Sequence, residues 1–125
     1  MKKRTVVILA KPGELRDGLE ALLAAVPQVD SVYCRNNFDV KGSQLAKLGA
    51  DLLVFNSNKT GPSANNQLRQ IKQRLPSIKV LNIVDTEEAK IKTDKTFSDV
   101  TLVKGFRGGR FIEIVRKLLE NGNNV

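Results

Sequence analysis

Histidine is absent from this sequence, and Cys34 is its only cysteine. No intramolecular disulfide can therefore form, and zinc sites built from cysteine and histidine are excluded. The lack of histidine also removes the commonest general base and every serine–histidine or cysteine–histidine nucleophile pair. Cys34 lies in a pattern typical of an edge strand, where we expect it to serve packing rather than redox chemistry.

Long apolar runs are also absent. The basic start of the chain is followed by only six apolar or small residues, Thr5 to Ala10, which is too short for a secretory signal. No other run approaches the ~20 residues that a membrane-spanning helix needs. With 41% hydrophobic and 27% charged residues, the 125-residue chain has the composition of one folded globular domain. We therefore expect a cytoplasmic protein with no membrane partner.

Motifs that bind nucleotides or RNA are missing or incomplete. No Gly-x-Gly-x-x-Gly follows the first apolar run, and no P-loop occurs. The triplet Arg107-Gly108-Gly109 resembles a fragment of an RNA-binding motif, but glycines at a strand-to-helix turn are the simpler explanation. Aromatic residues that could stack on RNA bases are few: Tyr33 and five phenylalanines, mostly at core-like positions.

Acidic residues are scarce and unevenly placed. The chain carries 21 lysines and arginines against 13 acids, a formal net charge of +8, and no acid lies between Asp51 and Asp85. Five cations fall in that interval: Lys59, Arg69, Lys72, Arg74 and Lys79. We interpret this region as a solvated basic surface; the alternatives are contact with nucleic acid, an acidic protein or an anionic membrane.

Short, nearly continuous apolar runs alternate with helical patterns along the chain. The runs at 6–9, 52–55 and 80–84 are typical of parallel strands covered on both faces, and the mixed runs at 32–34 and 100–103 fit edge strands. Between them, apolar residues recur at helical spacing in segments that end at Gly49, before Pro76 and at Asn121. Five strand–helix units predict an α/β fold, namely a flavodoxin-like, doubly wound, five-stranded parallel sheet of order 2-1-3-4-5 in a three-layer sandwich.

Two places depart from this pattern. Segment 86–98, where a fourth helix should lie, has no apolar stripe, so we expect it to be the least regular crossover. Asn82 interrupts an otherwise apolar strand. Because an unpaired buried amide costs about 1–3 kcal/mol, either Asn82 is satisfied locally or that face of the sheet is incompletely covered.

Several stretches resemble, in order, the receiver domains of response regulators, most closely those attached to helix-turn-helix transcription regulators. Residues 16–32 are similar to the family's first helix and second strand, and residues 49–55 to its third strand. Residues 68–81 follow its third helix and fourth strand, and residues 99–105 its fifth strand with the terminal lysine. The resemblance implies a receiver-like domain over residues 1–120, with 121–125 as a tail or the start of a linker.

The resemblance also implies a phosphorylation pocket, but the residues at its positions have changed. Where receivers hold Mg²⁺ with an acidic pair, this chain has Ala10 and Lys11. Asn56 replaces the phosphoacceptor aspartate, Val84 replaces the hydroxyl residue after the fourth strand, and Lys104 retains the family's lysine. Mg²⁺ requires anionic oxygen ligands, and an amide cannot replace the carboxylate nucleophile. We therefore expect no metal, no cofactor and no enzymatic activity.

In place of this chemistry, we expect a lysine to hold the pocket in one arrangement. Lys11 or Lys104 would place its ammonium near Asn56 or Asp85, because a buried ammonium needs hydrogen-bonding partners. For Lys104, we expect either an ion pair with Asp85 or a hydrogen bond to a backbone carbonyl. For Lys11, a solvent-facing side chain is an equally good alternative.

The function implied by the resemblance is a non-phosphorylatable signalling module that acts through protein–protein contacts, as the regulatory domain of a transcription regulator. Its partner would be another protein or a second copy, with DNA reached only through a separate output domain. The expected contact surface comprises Lys90, Lys92, Thr101, Arg107 and Arg110. Two alternatives stay open: a basic nucleic-acid-binding module, and a small-ligand sensor that uses the vacated pocket at the carboxyl ends of the strands.

Overall fold

Strands and helices alternate along the chain from β1 to β4, and a further strand and helix follow. The computed structural model describes residues 3–35, 42–56, 62–88 and 98–121, with side chains given for all of these except 42, 62–67 and 121. Its elements in chain order are β1 (Arg4–Leu9), α1 (Glu14–Ala24), β2 (Val29–Arg35), α2 (Gly42–Leu48), β3 (Leu52–Asn56), α3 (Pro62–Arg74), β4 (Lys79–Val84), β5 (Val100–Val103) and α4 (Gly108–Asn121).

The five strands form one parallel sheet in the order β2-β1-β3-β4-β5. The predicted fold class and strand order are therefore confirmed. The three continuous apolar runs became the three inner strands, and the two mixed runs became the edges, as a sheet covered on both faces requires.

Alternate residues of the inner strands point into two separate cores. Val6, Val54 and Ile83 join the apolar sides of α1 and α4 on one face of the sheet. Val7 and Phe55 join Leu45 of α2 and the apolar residues of α3 on the other face. Because side chains on a strand alternate between faces, a single run such as 6–9 supplies both cores and produces three layers.

Most predicted boundaries agree with the structure. The second strand is the exception: it extends over Val29–Arg35, well beyond the apolar run at 32–34, because its backbone pairs with the whole of β1. Asn82 is only 3% exposed, so the alternative of an incompletely covered face is wrong. Of segment 86–98, the structure describes only residues 86–88 and 98. The prediction that this segment is irregular therefore falls on residues 89–97, which lie outside the described residues.

Asp51 joins the amino ends of β1 and β3. Its backbone N–H donates to the carbonyl of Thr5 (2.8 Å), and its carboxylate accepts the N–H of the same residue (2.9 Å). The same carboxylate accepts a hydrogen bond from Nη1 of Arg4 at 3.3 Å, and the Arg4 side chain is only 7% exposed. A guanidinium so nearly buried needs this partner, because removing one member of a buried ion pair leaves the other charge uncompensated.

Asp99 joins β4 and β5 in the same way. Its N–H donates to the carbonyl of Val80 (2.9 Å), and its carboxylate accepts the Val80 N–H (2.7 Å). A cation again completes the arrangement: Lys72 Nζ lies 3.0 Å from Asp99 Oδ2 and donates to the carbonyl of Ile78 at 2.6 Å. Each aspartate immediately precedes its own strand and fixes the alignment of that strand with its neighbour.

Cys34 packs against the core on the α1 side of β2 and is partly buried. Burial raises the pKa of its thiol above the ordinary value, and the nearby carboxylate of Glu20 raises it further. Both effects disfavour the thiolate, which is the reactive form of cysteine. The environment therefore supports the expectation of a packing role.

Replacing Asp51 with alanine is expected to lower the free energy of unfolding by about 2–3 kcal/mol, because the change leaves Arg4 and the Thr5 N–H without their carboxylate. Urea denaturation followed by circular dichroism measures this loss. Asp30→Ala is the matched control: Asp30 is exposed and lies 4.0 Å from exposed Lys3, so less than about 0.5 kcal/mol should be lost. Equal losses in the two variants would contradict the structural role given to Asp51.

Cys34 is expected to react with a disulfide reagent more slowly than a cysteine in a short peptide at the same neutral pH. Its raised pKa keeps the thiol protonated, and packing limits access. The rate should rise only at a higher pH than for the peptide, and unfolding the chain in urea should abolish the difference. A folded-state rate equal to or above that of the peptide would instead favour a redox role.

Candidate functional site

The residues predicted to form the pocket lie at the carboxyl edge of the sheet, where open α/β sheets usually bind ligands. Ala10 follows β1, Asn56 ends β3, Val84 ends β4 and Lys104 follows β5. Backbone hydrogen bonds position the flanking residues: the Ala10 N–H donates to the carbonyl of Arg35 (3.0 Å), and the Lys104 N–H donates to the carbonyl of Val84 (2.8 Å). Parallel pairing thus brings the predicted positions to one edge.

Three of these residues turn away from solvent. Ala10, Asn56 and Val84 are each at most 5% exposed. None of the three carries a charge, and only Asn56 can form side-chain hydrogen bonds. Their burial leaves little surface for a small ligand to contact.

Lys104 forms the predicted ion pair with Asp85. Its Nζ lies 2.7 Å from Asp85 Oδ1, across the carboxyl ends of β4 and β5, and the two side chains are 38% and 46% exposed. Lys11 is different, since its side chain is exposed on the loop between β1 and α1. The solvent-facing alternative for Lys11 is therefore the correct one, because an ammonium without a paired site remains hydrated.

Two arginines at this edge were not anticipated from the sequence. Arg16, in the first turns of α1, reaches the carbonyl of Ala10 with Nη1 at 3.5 Å. Arg35 ends β2, donates from Nη1 to the carbonyl of Cys34 at 2.9 Å, and lies with its guanidinium carbon 5.8 Å from the centre of the Tyr33 ring. Arg16 lies just after a strand–helix loop and Arg35 lies at a strand end. These positions are the signal that could have identified the two arginines.

The side chains at this edge do not suit the Mg²⁺ that the resemblance implies. Mg²⁺ requires several anionic or carbonyl oxygens in octahedral geometry. Ala10 offers a methyl group, Asn56 one neutral amide oxygen, and the Asp85 carboxylate is already engaged by Lys104. Within residues 3–35, 42–56, 62–88 and 98–121, no group of three or more Asp, Glu, His or Cys side chains could hold a metal ion.

The predicted contact surface is only partly described. Arg107 and Arg110 are exposed at the start of α4, and Thr101 is half-buried on β5. Lys90 and Lys92 lie outside the described residues. A Cβ on Gly108 would lie 2.9 Å from Leu22 Cδ2 of α1, so the end of that side chain would have to shift to make room for it. None of the helices in the described part of the chain has the length and apolarity to cross a membrane.

Comparison with known proteins finds likeness in structure but not in sequence. No family model matches the chain, and no curated protein matches it. The apo receiver domain of nitrogen regulatory protein C (NTRC) is 21% identical with a TM-score of 0.77, over 97% of this chain and 98% of that one. A CheY-like protein (tadZ) from Pseudomonas aeruginosa PAO1 is 17% identical with a TM-score of 0.72, over 93% and 99% of the two chains.

A two-component transcriptional regulator, AraC from Clostridium phytofermentans, is similar over 94% of this chain and 93% of that chain, with 12% identity and a TM-score of 0.71. These neighbours are CheY-like receiver domains and proteins that contain them. At these identities the likeness establishes the fold: the chain has the five-stranded parallel architecture of response-regulator receiver domains.

Proposed function

We propose that the chain is a receiver-like signalling module that is not phosphorylated and that acts through protein–protein contacts. The fold of its structural neighbours supports a role in signalling. Among those neighbours, a transcriptional regulator supports a place as the regulatory domain of such a protein. DNA would then be reached through a separate output domain.

The observation that carries this proposal is the amide of Asn56 at the end of the central strand β3. It is buried, and the adjacent strand β1 is followed by the methyl group of Ala10 and the exposed ammonium of Lys11. A carboxamide cannot attack phosphorus to form an acyl phosphate, and Ala10 and Lys11 supply no anionic oxygen that could hold the metal that assists the attack.

The ion pair of Lys104 with Asp85 supports a constitutive arrangement of this edge. Because both side chains are partly exposed, the pair contributes only about 0.2–1 kcal/mol, a bias of at most about fivefold between two arrangements. The pair therefore biases the edge rather than locking it. The hydrogen bond from the Lys104 N–H to the carbonyl of Val84 and the packed core also stabilise this arrangement of the edge.

The proposed partner surface is the set of residues expected from the sequence. It combines Thr101, Arg107 and Arg110 with Lys90 and Lys92, and the described members of this set lie on or near β5 and the start of α4. The partner would be another protein or a second copy of the chain. Binding would be constitutive, because nothing at the carboxyl edge takes up a phosphoryl group.

Incubation with acetyl phosphate and Mg²⁺ is expected to leave the intact mass of the protein unchanged. Asn56→Asp alone should also remain unmodified, because Ala10 and Lys11 still supply no metal ligands. The triple variant Ala10→Asp/Lys11→Asp/Asn56→Asp tests whether the remaining architecture is competent, and we expect it to gain one phosphoryl group. A stable gain in the unaltered protein that Asn56→Ala abolishes would contradict the proposal.

A double-mutant cycle on Lys104→Ala and Asp85→Ala is expected to give a coupling energy of about 0.2–1 kcal/mol in urea denaturation at low salt. The coupling should shrink as salt is added, because the charges are accessible to counter-ions. A coupling of zero at low salt would show that the pair does not bias the carboxyl edge in solution.

A further inference from the structure

The two helical layers that cover the sheet differ in charge. α2 and α3, on one face, contain Lys47, Arg69, Lys72 and Arg74 and no acidic residue. α1 and α4, on the other face, contain five acids against four cations. Among the helices that the structure describes, the excess of positive charge therefore lies on the α2/α3 layer.

Three cations of that layer are exposed. Lys72 is only partly exposed, and its ammonium contacts the Asp99 carboxylate and the carbonyl of Ile78. Lys47, Arg69 and Arg74 lie at the surface. Because these three side chains are exposed, a partner of this layer would contact them.

The outward surface of α3 has a regular arrangement. Leu68 and Ile71 point into the core, and the exposed residues of the last two turns are Arg69, Gln70, Gln73 and Arg74. At about 100° per residue, the two glutamines lie at the centre of the exposed side and the two arginines lie at its margins. The exposed side of residues 68–74 is thus polar, with positive charge at both margins.

This surface fits nucleic acid better than a protein or a membrane. Protein interfaces are centred on apolar or aromatic anchors, and within residues 68–74 of α3 none of the four exposed side chains is apolar. Insertion into a membrane surface needs the apolar side of a helix, which here packs on the sheet. Arginine and glutamine, in contrast, hydrogen-bond to phosphate oxygens and to base edges.

We propose that the exposed side of α3, together with Lys47, contacts a nucleic-acid duplex. Arg69 and Arg74 would bind phosphates on the two sides of a groove, and the glutamines would face the groove between them. The dimensions agree, since an α-helix about 10–12 Å across fits a major groove about 12 Å wide. The contact goes beyond the proposed function, does not depend on the carboxyl edge, and differs from the expectation that DNA is reached only through an output domain.

The test is fluorescence anisotropy with the full chain and a labelled DNA duplex two helical turns long, at salt concentrations from about 50 to 200 mM. Three phosphate contacts predict a fall in affinity of about 40-fold over this range. The double variant R69Q/R74Q should bind at least about tenfold more weakly at the lowest salt, with a shallower salt dependence. Circular dichroism should give the same spectrum for all variants, because the substituted side chains are exposed.

The matched control is R116Q/K117Q, which removes the same two positive charges from exposed positions on α4. We expect it to weaken binding by less than about twofold. Equal weakening by the two double variants would overturn the proposal, because binding would then follow net charge alone. Absence of binding at the lowest salt would also overturn it, and so would binding of poly-glutamate instead of the duplex, which would point to an acidic protein.

Discussion

Two aspartates at the amino edge of the sheet, Asp51 and Asp99, fix the alignment of neighbouring strands. Each lies one residue before its strand and exchanges two hydrogen bonds with a single residue of the adjacent strand, Thr5 or Val80. A slip of one residue would turn every side chain of a strand to the opposite face. Because the strands supply two separate cores, the packing of both helical layers depends on this alignment.

The same alignment sets what the carboxyl edge presents. β3 runs for only five residues from the Asp51 contact to Asn56, and β5 for four residues between Asp99 and Lys104. The β4–β5 pair is therefore held at one end by the Asp99 carboxylate and at the other by the backbone bond from Lys104 to Val84. With the strand ends fixed in this way, the edge offers a buried amide and methyl group where a receiver needs carboxylates, and this composition favours a module that works without phosphorylation.

The sheet order and the place of the candidate site could be predicted because both follow from periodic patterns. Continuous apolar runs identify inner strands, and the residue after a run must lie at the carboxyl edge of a parallel sheet, which is where the structure has Ala10, Asn56 and Lys104. Asp51 and Asp99 could not be recognised, because a single polar residue before a strand carries no periodic signal. The direction of Lys11 was left open for a similar reason: neither helical nor strand periodicity sets the direction of a side chain in a loop.

We propose that the carboxyl edge lacks a metal and phosphoryl site, and amide NMR with added Mg²⁺ tests this most directly. Titration of a ¹⁵N-labelled sample to millimolar Mg²⁺ is predicted to leave the amide signals of Ala10, Asn56 and Lys104 in place, apart from small shifts shared by charged surface residues throughout the chain. Saturable shifts confined to these strand ends would contradict the account, because they would demonstrate a metal site at the edge where the structure places Ala10 and Asn56.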